Sequence, residues 1–112
     1  MATHAELYAE ADRLKDDGNY EEAAARLQEI LAENEGHVLA HLSLAVVYGR
    51  LGRHDDAVKH GARACELEPE DPFNFTALSV TYQRAFEGTR NHEYIQRAEE
   101  AMARSQMLQG RR

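Results

Sequence analysis

The sequence predicts an all-α protein made of three helix-turn-helix units, about six helices, and three observations carry that prediction. First, a pattern of small and aromatic residues returns every 34 positions. Moving residues 38–71 back by that interval lays Ala45 on Ala11, Gly52 on Gly18 and Ala57 on Ala23, and moving them forward puts Phe75, Leu78, Ser79 and Tyr82 where His41, Leu44, Ala45 and Tyr48 stood. Second, each unit holds two apolar faces at helical spacing, Leu44, Ala45, Tyr48 and Leu51 on one and Ala57, Val58, Gly61, Ala64 and Cys65 on the other. Third, a glycine (Gly18, Gly52) falls between the two faces, where the first helix must end, and Asp55-Asp56 then places negative charge at the start of the next.

The elements follow in order. Helix one is expected from Thr3 or His4 to Asp16 or Asp17, with Leu7, Ala11 and Leu14 inward. Thr3 can cap it with Glu6 three residues on. After Gly18-Asn19, helix two should run from Tyr20 to about Asn34, burying Ala23, Leu27, Ile30 and Leu31. Helix three, about Val38 to Leu51, is the most apolar, and helix four covers about His54 to Leu67. Pro72 opens helix five, where a missing N–H costs no hydrogen bond, and Asp71 precedes it as a cap.

The third unit departs from the period. Gly88 comes two residues later than the turn glycine of its predecessors, and the following helix looks long. With Ala98 as the counterpart of Ala57, seven residues are inserted, about two helical turns, which lengthens helix five and starts helix six one turn early. With Ile95 in that place, four are inserted. The seven-residue register turns Ile95, Ala98, Met102 and Ser105 inward on a sixth helix from Asn91 or His92 to Leu108. It leaves Tyr94, Ala101, Met107 and Leu108 on the outer side and residues 109–112 frayed.

The length of the unit, with Leu, a small residue and Tyr in its first helix, Ala in its second and Pro69 at its end, resembles the tetratricopeptide repeat family, in the form of its small bacterial-type members. The middle unit matches best. His41 stands for the usual Trp, Gly61 for a bulky aromatic (Leu27 in the first unit), Leu14 for Tyr and Glu35 for Pro. The resemblance implies a right-handed α-solenoid, one domain over residues 1–112 with repeats at about 4–37, 38–71 and 72–108, the last an elongated hairpin. Such arrays bury each unit against the next and usually end on an extra polar-faced helix, for which no residues remain. The sixth helix must cap itself, be covered by a partner, or meet a second copy.

The same resemblance places function on the groove lined by the first helix of each repeat. The groove positions chosen as binding residues are Tyr8, Asp12, Leu39, Leu42, Val46, Arg50, Phe73, Thr76, Val80 and Arg84. Relatives that grip the carboxylate-ended tails of chaperones carry Lys, Asn, Asn, Lys and Arg where this chain has Tyr8, Asp12, Ser43, Phe73 and Ala77, so that activity is not expected. The stripe of Leu39, Leu42, Val46, Phe73 and Val80 suits a helical or extended segment with aliphatic anchors and an acidic flank, unless part of it packs between helices. Two functions stay open: an adaptor holding a protein or peptide partner, and a self-associating scaffold, a homodimer through the groove or the C-terminal hairpin.

Composition excludes several classes. The 112 residues, 43% hydrophobic, make one domain. No apolar run reaches the ~20 residues of a membrane span, and the start at Met1, read as native, shows no secretory signal, so a cytoplasmic location is expected. The single cysteine, Cys65, reads as core filling. A net charge of −7 argues against nucleic acid. The charge is uneven, with ten acidic and three basic groups in residues 1–37 and four against six in residues 72–112. That asymmetry reads either as solvated faces or as steering for self-association.

No catalytic residue, cofactor or metal is expected. His37 and His41 are four apart without a third ligand beside them, and His4, His54, His60 and His92 read as surface or turn residues. Asp16-Asp17, Asp55-Asp56 and Glu99-Glu100 follow helix-end preferences. Neither a phosphate loop nor a Gly-x-Ser-x-Gly motif is present.

Overall fold

Side-chain caps set where the first helix of each hairpin begins. In the computed structural model, which describes residues 2–111, six helices follow one another: α1 (His4–Asp16), α2 (Tyr20–Glu33), α3 (Val38–Arg50), α4 (His54–Leu67), α5 (Pro72–Thr89) and α6 (Glu93–Gln109). No strand occurs among the described residues. Thr3 and Glu6 form a reciprocal capping box at α1. Asp71 Oδ1 accepts from the Phe73 amide at 2.9 Å, one residue past Pro72. Gly18 and Gly52 turn the first two hairpins in the left-handed region, at φ 81° and 77°.

Each helix packs mainly on its neighbours in the chain, with α5 also reaching α3, and no extensive contact joins α1 to α6. The result is an open helical repeat array rather than a closed bundle. One apolar cluster spans α1 to α4 through Leu7, Ala11, Ala23, Leu27, Ile30, Leu44, Val47, Tyr48 and Ala57. A smaller one joins Cys65, Leu78 and Ala101, with Phe75 and Tyr82 against it. Burial pushes the Cys65 thiol up to about 11, in keeping with a packing role.

The helices meet closely because the facing side chains are small. Ala45 lies 3.8 Å and Leu78 Cδ1 3.1 Å from where a Cβ on Gly61 would stand. Tyr48 fixes the second hairpin. Its hydroxyl accepts from Gln28 Nε2 at 3.0 Å, its ring stacks on His60 at 5.6 Å, and the Arg53 guanidinium lies 4.4 Å above it.

The expected lengthening of the last hairpin is present, with 18 residues in α5 and 17 in α6 against 13 and 14 in the hairpin before. Ala98 is buried and its carbonyl accepts from Ser79 Oγ at 2.9 Å, whereas Ile95 is 36% exposed, which matches the insertion of seven. Several expectations are corrected here. Gly88 is not the turn residue: it lies inside α5 against the His54 ring, and Arg90 takes the left-handed position at φ 61°. Ala101 and Leu108 are buried and Ile95 is not, because α6 faces α5 along the line Ala98, Ala101, Ser105 and Leu108. The helix also continues through Gln109, one residue into the stretch expected to fray; Arg112 lies outside the described residues.

His60, expected at the surface, is half-buried. Its Nδ1 is 3.0 Å from Nδ1 of buried His41, whose Nε2 is 2.7 Å from the Glu35 carbonyl. A carbonyl only accepts, so His41 Nε2 carries a hydrogen. The two Nδ1 atoms then share one hydrogen between them, and the pair cannot hold a proton on both inner nitrogens. Glu35 Oε2 lies 3.3 Å from His41 Nε2, and the same carboxylate takes both arms of Arg63 at 2.7 Å.

Two outcomes follow. Tyr48→Ala lowers stability by ~3–5 kcal/mol in chemical denaturation, because losing a buried aromatic leaves a cavity. Desolvation, aided by positive charge on His41 and Lys59 and opposed by Asp56 and Glu35, pulls the His60 pKa down from 6.5 to about 4. A folded pKa below the unfolded value means that the unfolded chain binds more protons. This stabilisation is therefore complete above pH 6.5 and lost as pH falls toward 4. Melting temperature measured from pH 7.5 to 5 should drop less steeply for His60→Phe than for the parent; equal slopes would exclude His60 as the cause.

Candidate partner-binding groove

The first helix of each hairpin leaves its apolar stripe uncovered to different degrees. Phe73 is 63% exposed, Leu39 55% and Val80 39%, while Leu42 and Val46 are half-buried. These exposures follow from sequence position. Leu39 and Phe73 sit one residue after the first position of α3 and α5, and each helix turns its other apolar line, Leu44 and Val47 or Leu78, into the core.

A cavity of about 350 Å³ brings Leu39, Leu42 and Phe73 together between the starts of α3 and α5. Gly36, His37, Val38, Glu68, Asp71 and Asn74 complete its wall. None of these six is among the expected site residues: Gly36, His37, Glu68 and Asp71 lie in the loops between repeats, which helix-face spacing does not index, and Val38 and Asn74 lie beside the expected line on α3 and α5. His37 has a local signal, since its Nδ1 caps α3 by accepting from the Ala40 amide at 3.1 Å. Tyr8 does not line the cavity but stacks on His37 at 6.3 Å, which extends the surface toward α1. Burial raises the Tyr8 hydroxyl pKa, so it stays a neutral hydrogen-bonding group.

Charge runs along this face. Glu68 and Asp71 stand at the end where α5 begins. Arg50, the last residue of α3, and Arg84, near the end of α5, are exposed. Asp12 is tied to Lys15 at 3.4 Å. Among the described residues there is no group of three His, Cys, Asp or Glu side chains placed to hold a metal ion, and no helix is long and apolar enough to cross a membrane.

Thr76 is the one expected groove residue that the structure directs elsewhere. It is half-buried, and its hydroxyl lies 2.7 Å from Ser105 Oγ, which in turn donates to the Pro72 carbonyl at 3.0 Å. The long α6 of the last hairpin reaches it, whereas the corresponding Leu42 stays at the groove.

The sequence profile described as Tetratricopeptide repeat matches residues 8–74, more than half of the chain. The chain belongs to the tetratricopeptide repeat family. Within curated proteins it is similar to Anaphase-promoting complex subunit 3 of Schizosaccharomyces pombe, 28% identical over 79 residues. That match takes in 70% of this chain but only 12% of the yeast protein, so the chain corresponds to a small part of it. In solved structures its fold resembles MamA, with a TM-score of 0.81 at 16% identity, covering 97% of this chain and 60% of MamA. The type III secretion translocator chaperone SycD of Yersinia enterocolitica, solved as an alternative dimer, gives 0.63 at 16% identity over 96% of this chain and 94% of SycD. PcrH, solved with the chaperone binding region of PopD, gives 0.61 at 15% identity over 94% and 90%.

The tetratricopeptide framework separates a stabilising contact from a binding one at Thr76. Thr76→Val should cost about 1 kcal/mol in thermal or chemical denaturation, the worth of one hydrogen bond.

Proposed function

We propose that this tetratricopeptide repeat protein is an interaction module that holds a segment of a partner protein along the face formed by α1, α3 and α5. The observation that carries this reading is the clustering of Leu39, Leu42 and Phe73 around one open cavity, with two of the three more than half exposed. Exposed large apolar side chains gathered at a concavity mark contact sites far more often than scattered ones do. PcrH, of similar fold, was solved with a segment of another protein, which supports the same class of activity.

The occupant that fits is a helical or extended segment whose aliphatic side chains enter between Leu39 and Phe73 and pass along Leu42, Val46 and Val80. Its acidic flank points toward Arg50 and Arg84, and Tyr8 and Asp12 border the other side. No chemical step is assigned to it; the groups present bind and orient.

Affinity capture with the parent protein and with a Leu42→Glu, Val46→Glu variant tests the proposal. The variant should remain helical and lose the captured partner by at least about tenfold, ~1.4 kcal/mol. A folded variant that still captures the partner would remove the groove as its site. Light scattering on the parent distinguishes the scaffold alternative: a homodimer that the same two substitutions dissolve would assign this face to self-association.

A further inference from the structure

The two edges of the array are not alike. At the N-terminal edge, α1 carries Glu6, Glu10 and Arg13 at the places where α3 carries Ala40, Leu44 and Val47, all three fully buried against the hairpin before. Arg26 of α2 lies 3.8 Å from Glu10 and 2.6 Å from Glu29, so this edge ends in charges. At the C-terminal edge, Ser79, Gln83 and Phe86 of α5 and Ile95, Ala98, Glu99 and Met102 of α6 surround a mostly apolar cavity of about 320 Å³.

The preceding hairpin shows what such a surface receives. There α5 lies across α3 and α4, with Leu78 over Gly61, the Asn74 amide donating to the Ala64 and Glu68 carbonyls at 3.4 and 3.3 Å, and Gly88 against His54. In the last hairpin Ser79 takes the place of Ala45, and Ala98 that of Ala57. Met102 stands where Gly61 stood. Its side chain lines the cavity together with Phe86, Ile95 and Ala98.

We propose that this cavity is a second docking site, separate from the groove, which takes an amphipathic helix from a partner protein packed as a seventh helix. The helix carries a large aliphatic side chain for the space between Phe86 and Ile95, and lysine or arginine beside it for Glu99. Continuity with the α5 interface supplies the helical geometry. Head-to-tail stacking of copies is disfavoured, because it would carry Glu6 and Glu10 of the α1 edge into a mostly apolar cleft whose one charged lining residue, Glu99, repels them. A two-fold pairing of these edges would bury two Glu99 carboxylates in one mostly apolar interface.

The test uses the full chain and a synthetic amphipathic helix of about 18 residues with leucines on one face and flanking lysines, beside the same peptide flanked by glutamates. In amide chemical-shift mapping the lysine peptide should perturb Phe86, Ile95, Ala98 and Met102, and bind at least about tenfold tighter than the glutamate peptide. Glu99→Lys should reverse that preference, and Ile95→Glu, at an exposed position, should abolish binding in a folded protein. Leu42→Glu should leave it unchanged, so failure here leaves the groove reading standing. Shifts centred on Leu39 and Phe73, equal binding of the two peptides, or a parent homodimer broken by Ile95→Glu would each overturn the proposal.

Discussion

Close approach at small side chains is the constraint on which the structure depends. A Cβ on Gly61 would stand 3.8 Å from Ala45 of the same hairpin and 3.1 Å from Leu78 of the next. The space left by one missing side chain therefore serves the packing within a hairpin and between hairpins. Such packing is enforced by density: a buried Leu gains its energy from many short contacts, and a larger residue at Ala45 or Gly61 would open all of them together. In the last hairpin Ser79, the counterpart of Ala45, is held to α6 by its hydrogen bond to the Ala98 carbonyl.

The polar groups within this packing are equally constrained. His41 occupies a place where the repeat pattern has a large aromatic, and it meets that demand only because Glu35 and His60 satisfy both of its nitrogens. The arrangement links the loop before α3 to the middle of α4. Arg63 adds a surface clasp by drawing the Glu35 carboxylate well down, to about 2. That exposed ion pair contributes little by itself, but it keeps the loop carbonyl over His41.

An array held by contacts between neighbours leaves surface that no chain neighbour covers. In this protein that surface is of two kinds. One is the face of α1, α3 and α5, where Leu39 and Phe73 stand free because their helices spend the opposite line on the core. The other is the edge of α5 and α6, where Phe86, Ile95 and Met102 border the cavity that a further helix would fill.

Much of this was legible in the residues alone. The period of 34, the turn glycines Gly18 and Gly52, the caps Thr3 and Asp71 and the boundaries of α4 follow from local rules, since backbone geometry and helix-end hydrogen bonds act within a few positions. The exposed positions Leu39, Phe73 and Val80 came from the family resemblance, which places that line of the first helices on the groove. Tertiary structure decided the rest. Gly88 looks like a turn residue, but it answers to the His54 ring across the hairpin, so the left-handed position passes to Arg90. Thr76 belongs by register to the groove and by hydrogen bonding to α6. His60 reads as surface until His41 and Tyr48 close over it, and the inward line of α6 is chosen by what α5 presents. Those outcomes rest on contacts between residues 12 to 34 positions apart, whose distances no local pattern encodes.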